Sequence, residues 1–310
     1  MIKILVPTDF STCANNAVDV ALQIANQLNG EVHFYHRMDL PNIWNELSVE
    51  EKTAFTETQV NIKKAHEALN QLEKRSKKAY PKVRITTTFS QGHLINTITQ
   101  YVDAFDIDLI VMGSHGASGI NEWLIGSNTQ KVVRLAHCPV LTIKNSIEKI
   151  DFSHIVFAAN YDSNLKPAFR QLIDFARLFN AHIHLLTVDT PSFYQEPQYA
   201  VIESMEEFKQ LCKEKVECSI HHFEDLNTLQ GIKHFSEEFD VKMVAMATHG
   251  RKKLARAIMG SLTETVVNHL EIPVLSINLK AILEVPEKRT PPFIHKTNER
   301  VSPTIEATFR

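Results

Sequence analysis

Residues 108–143 read DLIVMGSHGASGINEWLIGSNTQKVVRLAHCPVLTI, and residues 242–277 read KMVAMATHGRKKLARAIMGSLTETVVNHLEIPVLSI. Set against each other without a gap, His115-Gly116 meets His249-Gly250, and Gly126-Ser127 meets Gly260-Ser261. Thr129, Val132, Val133, Pro139, Val140, Leu141 and Ile143 recur as Thr263, Val266, Val267, Pro273, Val274, Leu275 and Ile277. The two halves also begin alike, with IKILVPTDFS near the N-terminus and SHIVFAANYDS from Ser153. A repeat this long is a duplicated domain, because solenoid units recur every roughly 20–50 residues. The junction falls near Lys144–Phe152, which gives domains at 1–147 and 148–280 and a tail at 281–310.

Working outward from the repeat, the first half reads β-α-β-α-β-α-β-α-β. Ile2–Val6, Val32–Tyr35, Val83–Phe89, Leu109–Met112 and Val140–Ile143 are short apolar runs of strand length. Between the first two, Ser11 is an N-cap for a helix whose apolar stripe runs Ala14, Ala17, Val18, Ala21, Leu22, Ala25, Leu28. Ser48 and Glu51 have capping-box spacing and open a long charged helix through Lys78. Leu94, Ile95, Ile98, Tyr101 and Val102 mark the next helix face. The second half repeats the order with strands near Ile155–Ala158, Ile183–Leu186, Glu217–His221, Met243–Met246 and Val274–Ile277, and a shorter helix near Gln198–Leu211. Apolar strands alternating with amphipathic helices predict two mostly parallel five-stranded sheets covered on both faces, an α/β class. Such sheets bind ligands beyond the carboxyl ends of their strands, where the strand order reverses.

The 310 residues carry 33 Lys+Arg against 36 Asp+Glu, a balance that argues against sequence-independent binding to nucleic acid. Apolar residues make up 44%, which suits folded domains and not a disordered chain. No apolar run approaches the roughly 20 residues that cross a bilayer, and MIKILVPTDF lacks the parts of a signal peptide. Cys13, Cys138, Cys212 and Cys218 form no CxxC pair and no disulfide framework. These features predict a cytoplasmic, reduced protein. The four prolines after Lys280 predict an extended or partly disordered tail.

The chemistry concentrates in Gly113-x2-Gly116-x9-Gly126-Ser127 after the fourth strand. A strand ending in glycine lets a ligand approach the main chain. Gly-Ser at the start of the next helix offers backbone N–H groups and a hydroxyl at the positive end of the helix dipole, which favours an anion such as phosphate. Asp9, at the end of the first strand, accepts from a ligand hydroxyl, supports a hard cation, or simply caps the first helix.

VPTDFS (Val6–Ser11), MGSHG (Met112–Gly116), GSNT (Gly126–Thr129) and the closing PVL strand resemble the universal stress protein family in its ATP-binding branch. The resemblance covers both halves, roughly residues 1–280, and so resembles a tandem protein of that family. It implies two Rossmann-like domains of the adenine nucleotide alpha hydrolase type. It also implies that ATP, with Mg²⁺ where the phosphates need a counter-charge, is held by Met112, Gly113, Gly116, Gly126, Ser127 and the Asn128 backbone. Thr8 and Asp9 would flank the nucleoside, and the strand end near Arg37 would meet adenine. In the second half Val188, Gly250, Gly260, Ser261 and Leu262 take the corresponding places. The last strands of the two domains would pair as an internal pseudo-dimer, and two chains could then associate as a homodimer.

The second half departs from the pattern where Asn160 replaces Asp9 and Ala247 replaces Gly113. Asn keeps hydrogen-bonding capacity without the charge, and Ala adds a Cβ. Arg251, Lys252, Lys253 and Arg256 add charge beside the loop, either to neutralise phosphates or as a solvated helix face. The first half is therefore expected to be the better site. His115 and His249 read as hydrogen-bonding loop residues, for no partner carboxylate or nucleophile is set by spacing. His182-x-His184 and His221-His222 lie on strands that could neighbour each other, without a recognisable metal-ligand spacing. Cys212 and Cys218 read as packed or surface thiols. Trp123 covers a nucleotide or anchors the loop. The functional readings are a nucleotide-dependent stress regulator, a slow ATPase, and an interaction module with vestigial sites. The absence of a GxxxxGK[ST] loop weighs against the second.

Overall fold

The computed structural model describes residues 1–40, 44, 46–92, 94–115, 126–191, 198–248 and 258–284. The first half runs β1 (Lys3–Pro7), α1 (Thr12–Gln27), β2 (Glu31–Met38), α2 (Val49–Lys52), α3 (Thr56–Ala79), β3 (Arg84–Gln91), α4 (Leu94–Ala104), β4 (Leu109–Gly113), α5 (Ser127–Leu135) and β5 (Val140–Ile143). The second runs β6 (His154–Ala158), a 3-10 turn at Ser163–Leu165, α6 (Lys166–Leu178), β7 (His182–Asp189), α7 (Gln198–Cys212), β8 (Cys218–Glu224), α8 (Thr228–Glu238), β9 (Met243–Thr248), α9 (Ile258–His269), β10 (Val274–Asn278) and α10 (Leu279–Glu284).

All ten strands join one sheet in the order β3-β2-β1-β4-β5-β10-β9-β6-β7-β8. Within each half the pairs are parallel. At the centre β5 and β10 run antiparallel with Leu141 opposite Leu275, as the paired last strands predict. Each half reverses its strand order at the first strand, between β1 and β4 and between β6 and β9. Strands such as Leu109–Gly113 are buried along their whole length, which follows from helices covering both faces.

The two faces differ. Ile4, Val6, Phe34 and Val111 of the first half join Ile155, Phe157, Leu185 and Ala245 of the second in one continuous apolar core under α1, α3, α6 and α7. On the other face Leu5, Tyr35, Met112 and Val132 form one cluster, and Val156, Leu186, Met246 and Val266 another. Where these clusters stop, α5 and α9 meet through polar groups. Gln130 Nε2 donates to Glu264 at 2.6 Å, and Arg134 pairs with Glu264 at 3.3 Å.

Ser11 caps α1 by accepting from the Ala14 amide at 3.2 Å, and the predicted apolar stripe is buried from Ala14 to Ala25. The charged helix does not run unbroken from Ser48. The capping box forms, but it closes a four-residue helix, and a new helix starts at Thr56. The amides of Thr53, Ala54 and Phe55 turn back to carbonyls three residues earlier, and Phe55 packs edge-on against Trp44 with ring centroids 6.0 Å apart. That aromatic contact sits at the break, and propensity alone does not contain it. At the other end, α10 occupies the first four residues of the expected tail and buries Leu279 and Ala281. Residues 285–310, with Phe293 and Ile294, lie outside the described residues.

Candidate functional site

β1 ends at Pro7, and the turn that follows is tied down residue by residue. The Thr8 amide donates to Tyr35 O at 2.9 Å, its Oγ1 accepts from the Phe10 amide at 3.0 Å, and its carbonyl lies 2.8 Å from His36 Nδ1. Burial holds the His36 imidazole below its usual pKa, so it donates to that carbonyl as a neutral ring. Asp9 is exposed, and its Oδ1 accepts from the Ser11 amide at 3.0 Å. Phe10 takes a left-handed φ of 64°, and its counterpart Tyr161 a φ of 56°. A bulky side chain there costs of order 1–3 kcal/mol, and such backbone strain clusters at ligand-binding turns.

β4 brings Met112 and Gly113 to the same rim. Met112 is buried on the α4/α5 face and Gly113 points the other way. A methyl on Gly113 would lie 2.8 Å from the Cys13 carbonyl carbon and 2.9 Å from its oxygen. The glycine is thus required by the close approach of α1, whereas sequence reasoning connected it with a ligand. The chain then continues through Ser114, whose Oγ is 2.7 Å from His115 Nδ1, the loop hydrogen bond expected of that histidine. Gly116, Trp123, His249, Gly250, Arg251, Lys252, Lys253 and Arg256 lie outside the described residues.

Gly126 returns the chain to the rim, its amide donating to Ser114 O at 2.8 Å, and serves as N-cap of α5 with extended φ −60° and ψ 140°. It supplies no side-chain cap bond. The first amides of any helix have no acceptor within it, and Ser127 and Asn128 at this end are exposed. Thr129, one residue on, is buried and donates to Gly113 O at 2.9 Å, fixing the helix start to the end of β4. Arg37, at the end of β2, shares a face with Tyr35. Its side chain is 13% exposed and ion-paired with Asp39, and its Nε is buried without a hydrogen-bond partner. The exposed first residues of α5 and the strained turn after β1 therefore lie at the switch point, with the buried orphan N–H of Arg37 on the neighbouring β2.

The profile of the Universal stress protein family matches residues 1–144 and again 151–278. The chain belongs to the universal stress protein family. Universal stress protein MJ0531 of Methanocaldococcus jannaschii is 31% identical over 142 residues, covering 46% of this chain and 81% of that protein. Universal stress protein YxiE of Bacillus subtilis is 30% identical over 148 residues, covering 46% of this chain and 98% of that protein. A match to just under half of this chain is what a single-unit relative gives against a doubled one. A universal stress protein of Archaeoglobus fulgidus DSM 4304 shares the fold across both halves. It is 18% identical with TM-score 0.65, covering 89% of this chain and 96% of that one.

The second unit of this universal stress protein is built differently at the same rim. α9 covers Ile258–His269, so Gly260 and Ser261 lie within the helix, whereas Gly126 caps α5 from outside. Leu262 is half-buried against the apolar cluster, while its counterpart Asn128 is exposed. Val188 is half-buried beside Gly231 of α8. Ala247 is buried in the shared core, and the crossover after β6 opens with the 3-10 turn at Ser163–Leu165 before α6. Asn160 is exposed. Among the described residues no group of three His, Cys, Asp or Glu side chains could hold a metal ion. Hydrogen bonding to Cys212, together with burial, pushes the Cys218 thiol far above its usual range, so it is no activated nucleophile. Among the described residues, too, no helix is long and apolar enough to cross a membrane.

Proposed function

We propose that this universal stress protein binds an adenine nucleotide, ATP, in its first half and acts in the cytoplasm as a nucleotide-dependent regulator of the stress response. The observation that supports this best is the start of α5, where an extended glycine cap without a side-chain bond leaves exposed amides at the reversal of strand order. The phosphates sit on the Ser127 and Asn128 amides and on the glycines Gly113, Gly116 and Gly126, beside Met112. Thr8 and Asp9 flank the sugar, and the exposed Asp9 carboxylate suits a hard cation shared with the phosphates. The backbone at the end of β2, near Arg37, meets the base end of the ligand. Binding orders the glycine turns and alters the surface the protein presents to partners. Val188, Gly250, Gly260, Ser261 and Leu262 make a weaker second site, because Gly260 and Ser261 lie within the helix instead of capping it.

The test removes one amide without breaking the helix. Proline is tolerated at the first helical position, and Gly126 already has the extended backbone that precedes a proline. Ser127→Pro is expected to weaken ATP binding by tenfold or more in titration calorimetry. That matches the loss of one charge-assisted hydrogen bond, about 1.5–3 kcal/mol. Ser127→Ala should cost less, and both variants should keep the wild-type melting temperature. Equal binding by Ser127→Pro and the wild type would refute the reading.

A further inference from the structure

Strands β6, β7 and β8 carry four histidines on the sheet face beneath α8. His154 Nδ1 is 3.0 Å from His184 Nε2, and His184 Nδ1 is 3.1 Å from His221 Nε2. Ser219 Oγ stands among the rings, 2.8 Å from His182 Nε2, 3.2 Å from His184 Nδ1 and 2.7 Å from His221 Nε2. Phe235 of α8 and its C-cap Phe239, stacked at 4.2 Å, wall the cluster, with His221 at 4.8 and 4.9 Å from their ring centroids. The charged groups at its margin are the exposed Glu217, 3.4 Å from His182 Nδ1, and Asp151 near His154. Lys242 is paired with Asp240, and its amide donates to the His154 carbonyl. His222 pairs with Asp189 at 3.0 Å.

The first half holds the matching arrangement in other residues. His33 stands for His184, with Tyr101 and Phe105 against it where Phe235 and Phe239 stand in the second half. Strand register puts Lys3, Glu31, Arg84 and Thr88 where the second half has His154, His182, Glu217 and His221. Here His33 Nδ1 lies 2.9 Å from Tyr101 Oη and its Nε2 lies 3.3 Å from Glu31, which also pairs with Arg84 at 3.8 Å. On this face the first-half edge is therefore tied around the Glu31 carboxylate with Arg84, and the second-half edge around a chain of imidazoles joined through Ser219.

We propose that the histidine cluster is a proton-operated latch, which holds β8 and α8 against β7 while its rings are neutral and releases that edge in weak acid. A neutral imidazole brings one donor and one acceptor, so the chain from His154 to His221 is satisfied without charge. Successive protons place donors and positive charges face to face at about 3 Å. Burial, then the neighbouring His182, His221 and His154, hold His184 down to about 3, and burial and His182 lower His221. Once unlatched, His184 and His221 take up protons below about 6.5, which they resist while latched, so their stability contribution is present above that pH and falls as acid is added. In the first half burial pushes the Glu31 carboxyl up, but the His33 hydrogen bond and the charges of His33, Arg84 and Lys3 outweigh it and set it low. Its contribution therefore persists until the carboxylate range is reached. The latch is independent of what the glycine turns bind.

Hydrogen exchange on the full chain, corrected for intrinsic rates, compares residues 218–239 with their counterparts 84–105 at pH 7 and pH 5. His184 fully separated from the ordinary value would raise opening by about 30-fold at pH 5. Water reaching the His182 side of the cluster reduces the expectation to about tenfold relative to residues 84–105. Parallel behaviour of the two edges would overturn the proposal. Installing the first-half residues (His154→Lys, His182→Glu, Glu217→Arg, His221→Thr and Phe235→Tyr) should abolish the difference, and its persistence would show that the rings are not the latch. Should that variant fail to fold, imidazole nitrogen shifts in the wild type decide, since His184 and His221 charged at pH 6 in the folded chain would contradict the latch.

Discussion

Gly113 shows how one residue can carry two meanings. A glycine closing an apolar strand beside a glycine-rich loop invites a ligand explanation, yet the space its missing Cβ leaves is filled by the first turn of α1. Gly113→Ala is expected to lower stability by about 1–3 kcal/mol, as overpacking does in a close-packed interior, measured by urea denaturation. The ligand reading alone would leave stability unchanged and move only nucleotide affinity. Ala247→Gly, at the equivalent place, opens no clash and should cost about 1 kcal/mol through backbone entropy. Phe10 and Tyr161, with their left-handed backbones, are the residues that sequence reasoning passed over. Aromatic side chains carry no sequence signal for positive φ, and only their matching positions after the first strand of each half could have drawn attention to them.

Elements were legible where local chemistry and packing agree. The strands stand within a few residues of their apolar runs, because a strand covered on both faces must be apolar throughout. Ser11 and the Ser48–Glu51 box were readable because a cap is a contact between residues three apart. The break between α2 and α3 was not, since the aromatic contact there involves Trp44, eleven residues before Phe55. Nor was the helical placement of Gly260, for the repeat aligns it with Gly126, which caps α5 from outside. That helical placement separates the two rims more directly than Asn160 or Ala247. The neighbouring histidine strands could be foreseen, whereas the cluster's contrast with Glu31, Lys3 and Arg84 needed the register.

On the scale of the whole molecule, the duplication makes one sheet whose faces are unequally divided. One core runs under both halves, so they share their largest apolar surface, while the opposite face is split by α5 and α9. Asn278 ties this arrangement together. Its Nδ2 donates to the carbonyls of Arg134 and Ala136 at the end of α5, and its Oδ1 accepts from the amides of Lys280 and Ala281. Asn278→Ala is expected to cost about 1–3 kcal/mol, since it strands buried backbone groups in both halves, and the loss should appear in a single cooperative denaturation. Arg134→Ala removes a partly exposed ion pair and should cost less than about 1 kcal/mol. The most direct test of the nucleotide site is the ¹H–¹⁵N spectrum of the full chain on addition of ATP. The Ser127 and Asn128 amides should shift farthest, together with Thr8–Phe10, and well ahead of Ser261 and Leu262. Unmoved amides at the start of α5 under saturating ATP would contradict the account.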